Sequence, residues 1–296
     1  MNQRIGQSVT ELMTAEYAPI KEIWGKVITD QSLTMIYAPP KAGKTFFAWK
    51  LAHSIATGTK FLKWVCTQSK VAIIDGEMSA RDLAQRAIVL DESAPSRIRG
   101  GQMLIITPDD TGGSMWNMAN HHDQLKFDEA TRGYQVVIFD NYLNCSFPEN
   151  PRDDEIARWA RIQPWLIRLR SAGKAVILIH HANKEGKAEG TQRKENTMNN
   201  VIAIRPIGRS SDSTRMELVF ERMRNLWGDD LSPIVIELIN SSDGKMHWAW
   251  NEAEDDRIVK VRKMLAQRLP VAEIAKALNI DVWDAIELVD KAKGGM

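Results

Sequence analysis

Cysteine is nearly absent. Cys66 and Cys145 are the two in 296 residues, and neither has a Cys or His at zinc-ligand spacing. That argues against a disulfide scaffold and a structural zinc, and two unpaired thiols suit a reducing, cytoplasmic setting. A surplus of charge of one sign is also missing. The chain has 39 Lys and Arg against 38 Asp and Glu, a net charge of +1. Bulk electrostatics therefore do not mark a nucleic-acid binder, and any polyanion site has to be local. Long apolar runs are lacking as well. AVILI at 175–179 is typical of the longest, far short of the ~20 residues that span a bilayer. The start, MNQRIGQSVTELMTAEY, lacks the apolar stretch of a signal peptide. There are no internal repeats and no low-complexity tract. With 26% charged residues and ordinary Gly and Pro, the composition is globular, not disordered or collagen-like.

What is present is a rhythm. Residues 1–30 form a mixed lead-in, in which Ile5, Val9, Leu12 and Met13 hint at a short amphipathic helix. From Leu33, apolar runs (LTMIYA 33–38, VAIID 71–75, MLIIT 103–107, YQVVIFD 134–140, AVILIH 175–180) alternate with helical spacing at 45–57, 80–90, 118–131 and 152–171. Gly58 and Gly173 stand where helices would stop. Strand–helix alternation predicts βαβ units around a parallel sheet buried on both faces. After Val201, VIAIR, RMELVFERMR, IVIELI and MHWAW follow one another with turns alone, Asp243-Gly244 among them. They predict an antiparallel extension of the sheet. From about 254 the chain reads as helical. The domains expected are an arm over 1–30, an α/β unit over 31–252 and a helical tail over 253–296.

The sharpest motif is Ala38-Pro-Pro-Lys-Ala-Gly-Lys-Thr45. It is a phosphate-binding loop with Ala for its first Gly, set between an apolar strand and a helical stretch. Backbone N–H groups at such a helix start face a polyphosphate. Pro39, Pro40, Lys41, Ala42, Gly43, Lys44, Thr45 and Phe46 are the expected nucleotide-binding residues. Lys44 would neutralise the β and γ oxygens, and Thr45 would ligate Mg²⁺. Asp140 ends a buried strand and is the expected acid on the other side of the Mg²⁺. Glu77 lies just past the strand VAIID, where open α/β sheets place ligands. It is read as the residue that orients the attacking water, with Asp75 as the alternative. His180 and His181 end the next strand, and neighbouring strand residues point to opposite faces, so one of the two can face the nucleotide.

The order of these motifs resembles that of RecA-like hexameric ATPases, above all the RepA-type replicative helicases of plasmids and mobile elements and the helicase half of phage primase-helicases. The stretch HHANKEGKAEGTQRKENTMNNVIAI and the later ERMRN add to the resemblance, which covers roughly 20–250. It implies a RecA-like fold, ATP and Mg²⁺ as cofactors, and a homo-oligomer, most simply a hexameric ring. It makes Glu77 the catalytic acid and His181 the γ-phosphate sensor. Arg222 and Arg224 match a pair that reaches into a neighbouring subunit's site. It implies that loops 141–155 and 183–197 line a channel for single-stranded DNA, with Lys184, Lys187, Arg193 and Lys194 as contacts. Two departures stand out: Ala38, and Glu189-Gly-Thr191 where many relatives carry Arg before that Gly.

The tail, LPVAEIAKALNIDVWDAIELVDKAK, has the shape of a helix-turn-helix. Its apolar faces read as Val271, Ile274, Ala275, Leu278 and then Val282, Ile286, Val289. Asp281, Asp284, Glu287 and Asp290 on the second helix are the wrong charge for reading DNA, so a protein contact is the better expectation. The reading is therefore a Mg²⁺-dependent ATPase acting as a ring helicase or translocase in replication of a mobile element. The alternative is an ATP-switched DNA-binding regulator or helicase loader with slow turnover.

Overall fold

The computed structural model describes residues 6–183, 186–188, 192–253 and 256–294. The chain opens with α1 (Val9–Thr14), started by a capping box between Ser8 and Glu11 and burying none of its residues. Ile5 lies outside the described residues. A small antiparallel hairpin follows, β1 (Glu22–Trp24) and β2 (Ile28–Thr29). Within the stretch read as an arm, Ile23, Trp24, Val27 and Ile28 are buried in the main core.

Strands and helices then alternate. They are β3 (Leu33–Ala38), α2 (Lys44–Thr57), a tiny hairpin of β4 (Lys60–Phe61) and β5 (Trp64–Val65), β6 (Val71–Asp75), α3 (Ala80–Glu92) and β7 (Met103–Ile106). Next come α4 (His121–Ala130), β8 (Val136–Asp140), α5 (Glu155–Ser171) and β9 (Ala175–His181). α6 (Gln192–Thr197) leads into β10 (Asn200–Arg209), β11 (Ser213–Arg222), β12 (Ile234–Asn240) and β13 (Met246–Glu252).

Among the described residues nine strands form one sheet, in the order β13-β12-β11-β10-β3-β9-β8-β6-β7. From β10 to β7 the pairing is parallel. From β10 to β13 it is antiparallel. This is the expected α/β RecA-like architecture. β3, β6 and β8 are buried at every position, which is why their sequences run apolar without alternation. Ile36, Ile73, Ile138 and Ile177 face the side covered by α2 and α3, with Phe47 and Leu83 among their partners. Met35, Ala72, Val137 and Val176 face the other side, covered by Phe127 of α4 and by Trp159 and Trp165 of α5.

Much of the tryptophan content is packing. Phe47 on α2 lies 5.9 Å from Trp24, 5.2 Å from Phe61 and 5.9 Å from Trp248. Those rings come from the first hairpin, from β4 and from β13.

The tail folds as α7 (Asp256–Ala266), α8 (Val271–Leu278) and α9 (Val282–Gly294). Val261, Ile274, Leu288, Val289 and Ala292 form its small core. The apolar face expected on α9 is corrected here. Val282 is 49% exposed and Ile286 38%, while Ala285, Leu288, Val289 and Ala292 are buried. Spacing of three and four gives the latter set the continuous stripe. Trp283 stands 81% exposed beside the two outward residues. No helix among the described residues is long and apolar enough to cross a membrane.

Candidate functional site

β3, β6, β8 and β9 run in one direction, so Ala38, Asp75, Asp140 and His181 all reach the same edge of the sheet. Open α/β sheets bind ligands at that edge. The loop leaving β3 turns into α2 at Gly43, whose φ is +84°. An L-residue there would cost ~1–2 kcal/mol, which accounts for this glycine. α2 then starts at Lys44 with its free N–H groups aimed past the loop. Lys44 is buried to 8% exposure. Burial lowers its pKa, and the Asp140 and Glu77 carboxylates oppose that shift.

Asp140 is 4% exposed and accepts a hydrogen bond from the Thr45 side chain. Burial pushes its carboxyl up to about 7, and the Asp75 charge adds in the same direction. Its Oδ2 is buried without a hydrogen-bond partner. An orphaned carboxylate oxygen beside a threonine hydroxyl and a lysine is a fitting place for a divalent cation bound to phosphate. Among the described residues no group of three His, Cys, Asp or Glu side chains could hold a metal. A cation here would therefore share its ligands with a phosphate, as Mg²⁺ commonly does.

Asp75 pairs in register with Asp140. Its Oδ1 accepts from the backbone N–H of Glu77 at 2.9 Å and of Met78 at 2.8 Å. Burial raises its pKa against the pull of those two donors. Asp75 thus shapes the turn that carries Glu77. Glu77 is exposed, and its Oε2 accepts from Asn141 Nδ2 at 3.4 Å and Asn144 Nδ2 at 3.3 Å. Two side-chain amides therefore steer the carboxylate while leaving it open to water. Gly76 makes this approach possible. Its N–H donates to the Asp140 carbonyl at 2.9 Å, and a Cβ at 76 would sit 2.8 Å from Asn144 Cβ. Gly76→Ala is expected to destabilise the fold by about 1–3 kcal/mol and to lower ATP turnover, read together by urea unfolding and steady-state hydrolysis. Wild-type values in both would contradict the close-approach argument.

His181 shares the face of Ile177 and Ile179, the side of α2, and pairs in register with Ala38. His180 turns to the opposite side. The structure thus gathers Lys44, Thr45, Glu77, Asp140 and His181 at one edge. Arg222 and Arg224 are not among them. β11 runs the other way, and Arg222 pairs with Val201, beside the start of β3. Arg222 donates to the Glu195 carbonyl at 2.8 Å and to Asn196 Oδ1 at 3.3 Å. Arg224 is exposed.

Of the residues expected to meet DNA, Lys187 and Arg193 are exposed. Lys184 lies outside the described residues. Lys194 is corrected: it is 1% exposed, its ammonium held by Glu155 and His180. A run of charges in sequence says nothing about which one folds inward.

A cleft of about 360 Å³ opens beside the loop, lined by Lys41, Lys44, Phe46, Arg86, Arg209 and Asn240 among others. The Arg86 guanidinium lies 5.0 Å from the Phe46 ring centroid. Arg86 and Arg209 escaped the sequence reading. On an amphipathic helix and a hairpin tip, each looks like a solvated charge.

A parallel sheet with a phosphate loop after β3, a strand-end acid against the loop's threonine and an antiparallel extension define a RecA-like P-loop ATPase. The chain belongs to the AAA domain family, whose pattern matches residues 2–187. Comparison with curated proteins finds no match. Solved structures share the fold, and two serve as examples. The flagellar accessory protein FlaH from Methanocaldococcus jannaschii is 14% identical with a TM-score of 0.52, over 76% of this chain and 92% of that one. A KaiC-like protein from Pyrococcus horikoshii is 12% identical with a TM-score of 0.55, over 77% of this chain and 100% of that one.

Proposed function

We propose that this P-loop ATPase is a Mg²⁺-dependent ATP hydrolase that assembles into a ring and moves along single-stranded DNA, in replication of a plasmid, phage or other mobile element. The observation that carries hydrolysis is the Glu77 carboxylate, held by Asn141 and Asn144 beside Lys44 and Asp140. Mg²⁺, when bound between Thr45 and Asp140, supplies charge stabilisation for the leaving phosphates. The residues of this chain do the rest. Lys44 and the N–H groups at the start of α2 hold the phosphates. Glu77 orients water toward them, and His181, paired with Ala38 at the root of the loop, would face the terminal phosphate. The Phe46–Arg86 pair at the cleft offers a stacking surface for the base.

The ring is supported by the position of Arg224. It is exposed two residues past the end of β11, a strand that runs away from the phosphate loop, so a neighbour in a head-to-tail ring could be reached by it. Lys187 and Arg193 are the exposed cations that repetition around an axis would gather for a DNA backbone.

A second reading is an ATP-switched loader or regulator. It is favoured by the tail, where Val282, Trp283 and Ile286 form an exposed apolar face among Asp281, Asp284 and Glu287, suited to a protein partner. Steady-state ATP hydrolysis with and without single-stranded DNA, with Lys44→Ala as the blank, tests the choice. Strong stimulation by the single strand is expected of a translocase. Hydrolysis indifferent to DNA would sink that reading and favour the switch.

A further inference from the structure

Behind the phosphate-facing edge lies a cluster of ionisable groups that hydrolysis does not require. His180 and Lys194 are each 1% exposed. The His180 ring stacks on Tyr142 with centroids 5.0 Å apart, and its Nε2 lies 2.6 Å from Lys194 Nζ. Lys194 Nζ also sits 4.5 Å from the Tyr142 ring centroid and pairs with Glu155 in the first turn of α5. Trp159 closes the far side of Tyr142 at 6.1 Å.

An ammonium taken out of water loses several kcal/mol of hydration, which pairing and hydrogen bonds must offset. Here Glu155, His180 and the face of Tyr142 supply that offset. Burial keeps the His180 ring neutral, its pKa far below the ordinary value. A neutral imidazole carries one proton and offers one acceptor nitrogen. Yet the His181 N–H points at Nδ1 from 2.7 Å while Lys194 Nζ faces Nε2. One donor too many meets the ring. A change in how Lys194 is held would therefore be felt at the ring.

The connections of α6 give such a change two directions to travel. On one side Lys194 reaches His180, whose chain neighbour His181 pairs with Ala38 at the root of the phosphate loop. On the other side the backbone carbonyl of Glu195 and the side chain of Asn196 accept from Arg222 at the end of β11. After β9, the Asn183 N–H donates to the Lys187 carbonyl at 2.7 Å and Ala182 is bridged to Ala188. That pairing lies in sequence between β9 and α6.

We propose that Lys194 is a positioning residue. Its insertion between His180, Tyr142 and Glu155 sets the pairing of Ala182 with Ala188 and couples the Arg222 edge of the sheet to the phosphate-facing His181. The kinetic part of the test rests on the ATP-hydrolase reading; the structural part does not.

The experiment uses the full chain and two variants. Lys194→Met keeps the buried volume and removes the charge. Glu155→Gln keeps the lysine and weakens its hold. Trypsin cleavage after Lys187 is followed in nucleotide-free protein, and kcat and KM for ATP are measured alongside. Both variants are expected to be cut about ten-fold faster and to lose about ten-fold in kcat, with KM for ATP unchanged. Wild-type cleavage and kcat in both would overturn the proposal. So would a raised KM with kcat intact, since the lysine would then act on nucleotide binding. If Lys194→Met does not fold, Glu155→Gln decides by the same criteria. If the wild-type chain hydrolyses no ATP, the functional reading fails, and the cleavage rates still decide the role of Lys194.

Discussion

Glu77→Gln is expected to cut ATP turnover by about 10²–10⁴-fold while leaving nucleotide affinity within two- or three-fold of wild type, on the order of the scatter in such measurements. The asymmetry follows from what Glu77 touches. Its carboxylate meets two amide donors and solvent, whereas the phosphate cradle is built from Lys44, Thr45 and the start of α2. Gln keeps the shape and the contacts to Asn141 and Asn144 in one amide orientation, but it cannot take a proton from water. Single-turnover hydrolysis and nucleotide binding by calorimetry measure the two quantities separately. A kcat unchanged in Glu77→Gln would remove Glu77 from the chemistry. Asp75 is a poor substitute, because its Oδ1 is already occupied by two backbone N–H groups.

Asp140→Asn is expected to act in opposite directions on activity and on stability. Turnover with Mg²⁺ should fall by about 10²-fold or more, since a neutral amide cannot replace a carboxylate in holding the cation. Stability without nucleotide should rise. The Asp140 carboxyl goes from 3.8 to about 7 on folding, so the folded chain binds this proton more tightly than the unfolded one. The resulting stabilisation is full below the unfolded value and is lost as pH climbs through about 7. Asn does not titrate. In chelator, the variant should therefore exceed wild type by about 1–4 kcal/mol near pH 8, and the gap should close below about pH 4. Urea unfolding at the two pH values reads it directly. Equal stability at the higher pH would mean that Asp140 is not held against its charge.

The parts of this molecule that show in the sequence are those with a period or a bounded apolar run. VAIID and VVIFD are buried on both faces and read as strands without ambiguity. The phosphate loop shows because its chemistry is local, within eight residues. The first hairpin does not show. Three residues of β1 and two of β2 are too short for any period, and Trp24 is core through rings that come later in the chain, Phe47, Phe61 and Trp64. The amides that hold Glu77 are hidden for a related reason. Asn141 and Asn144 follow a different strand, and Gly76 matters through a contact made 68 positions later along the chain, at Asn144. Lys194 shows the limit most plainly. Counted among charges in a loop it looks like a DNA contact, yet its ammonium turns inward, where Glu155 and His180 offer it partners. On α9, Val282 and Ile286 look apolar enough to pack, but Leu288, Val289 and Ala292 keep the better stripe.

Phe47 imposes an order on how this protein comes into being. It sits in the first full turn of α2, and the rings enclosing it come from residues 24, 61 and 248. A ribosome therefore delivers the phosphate-loop helix early and the last ring of its enclosure some two hundred residues afterwards. Until β13 emerges, that flank of α2 is wet, and the nascent helix waits with an apolar side uncovered. A chain cut short before the sheet's final strand would leave the same surface exposed for good.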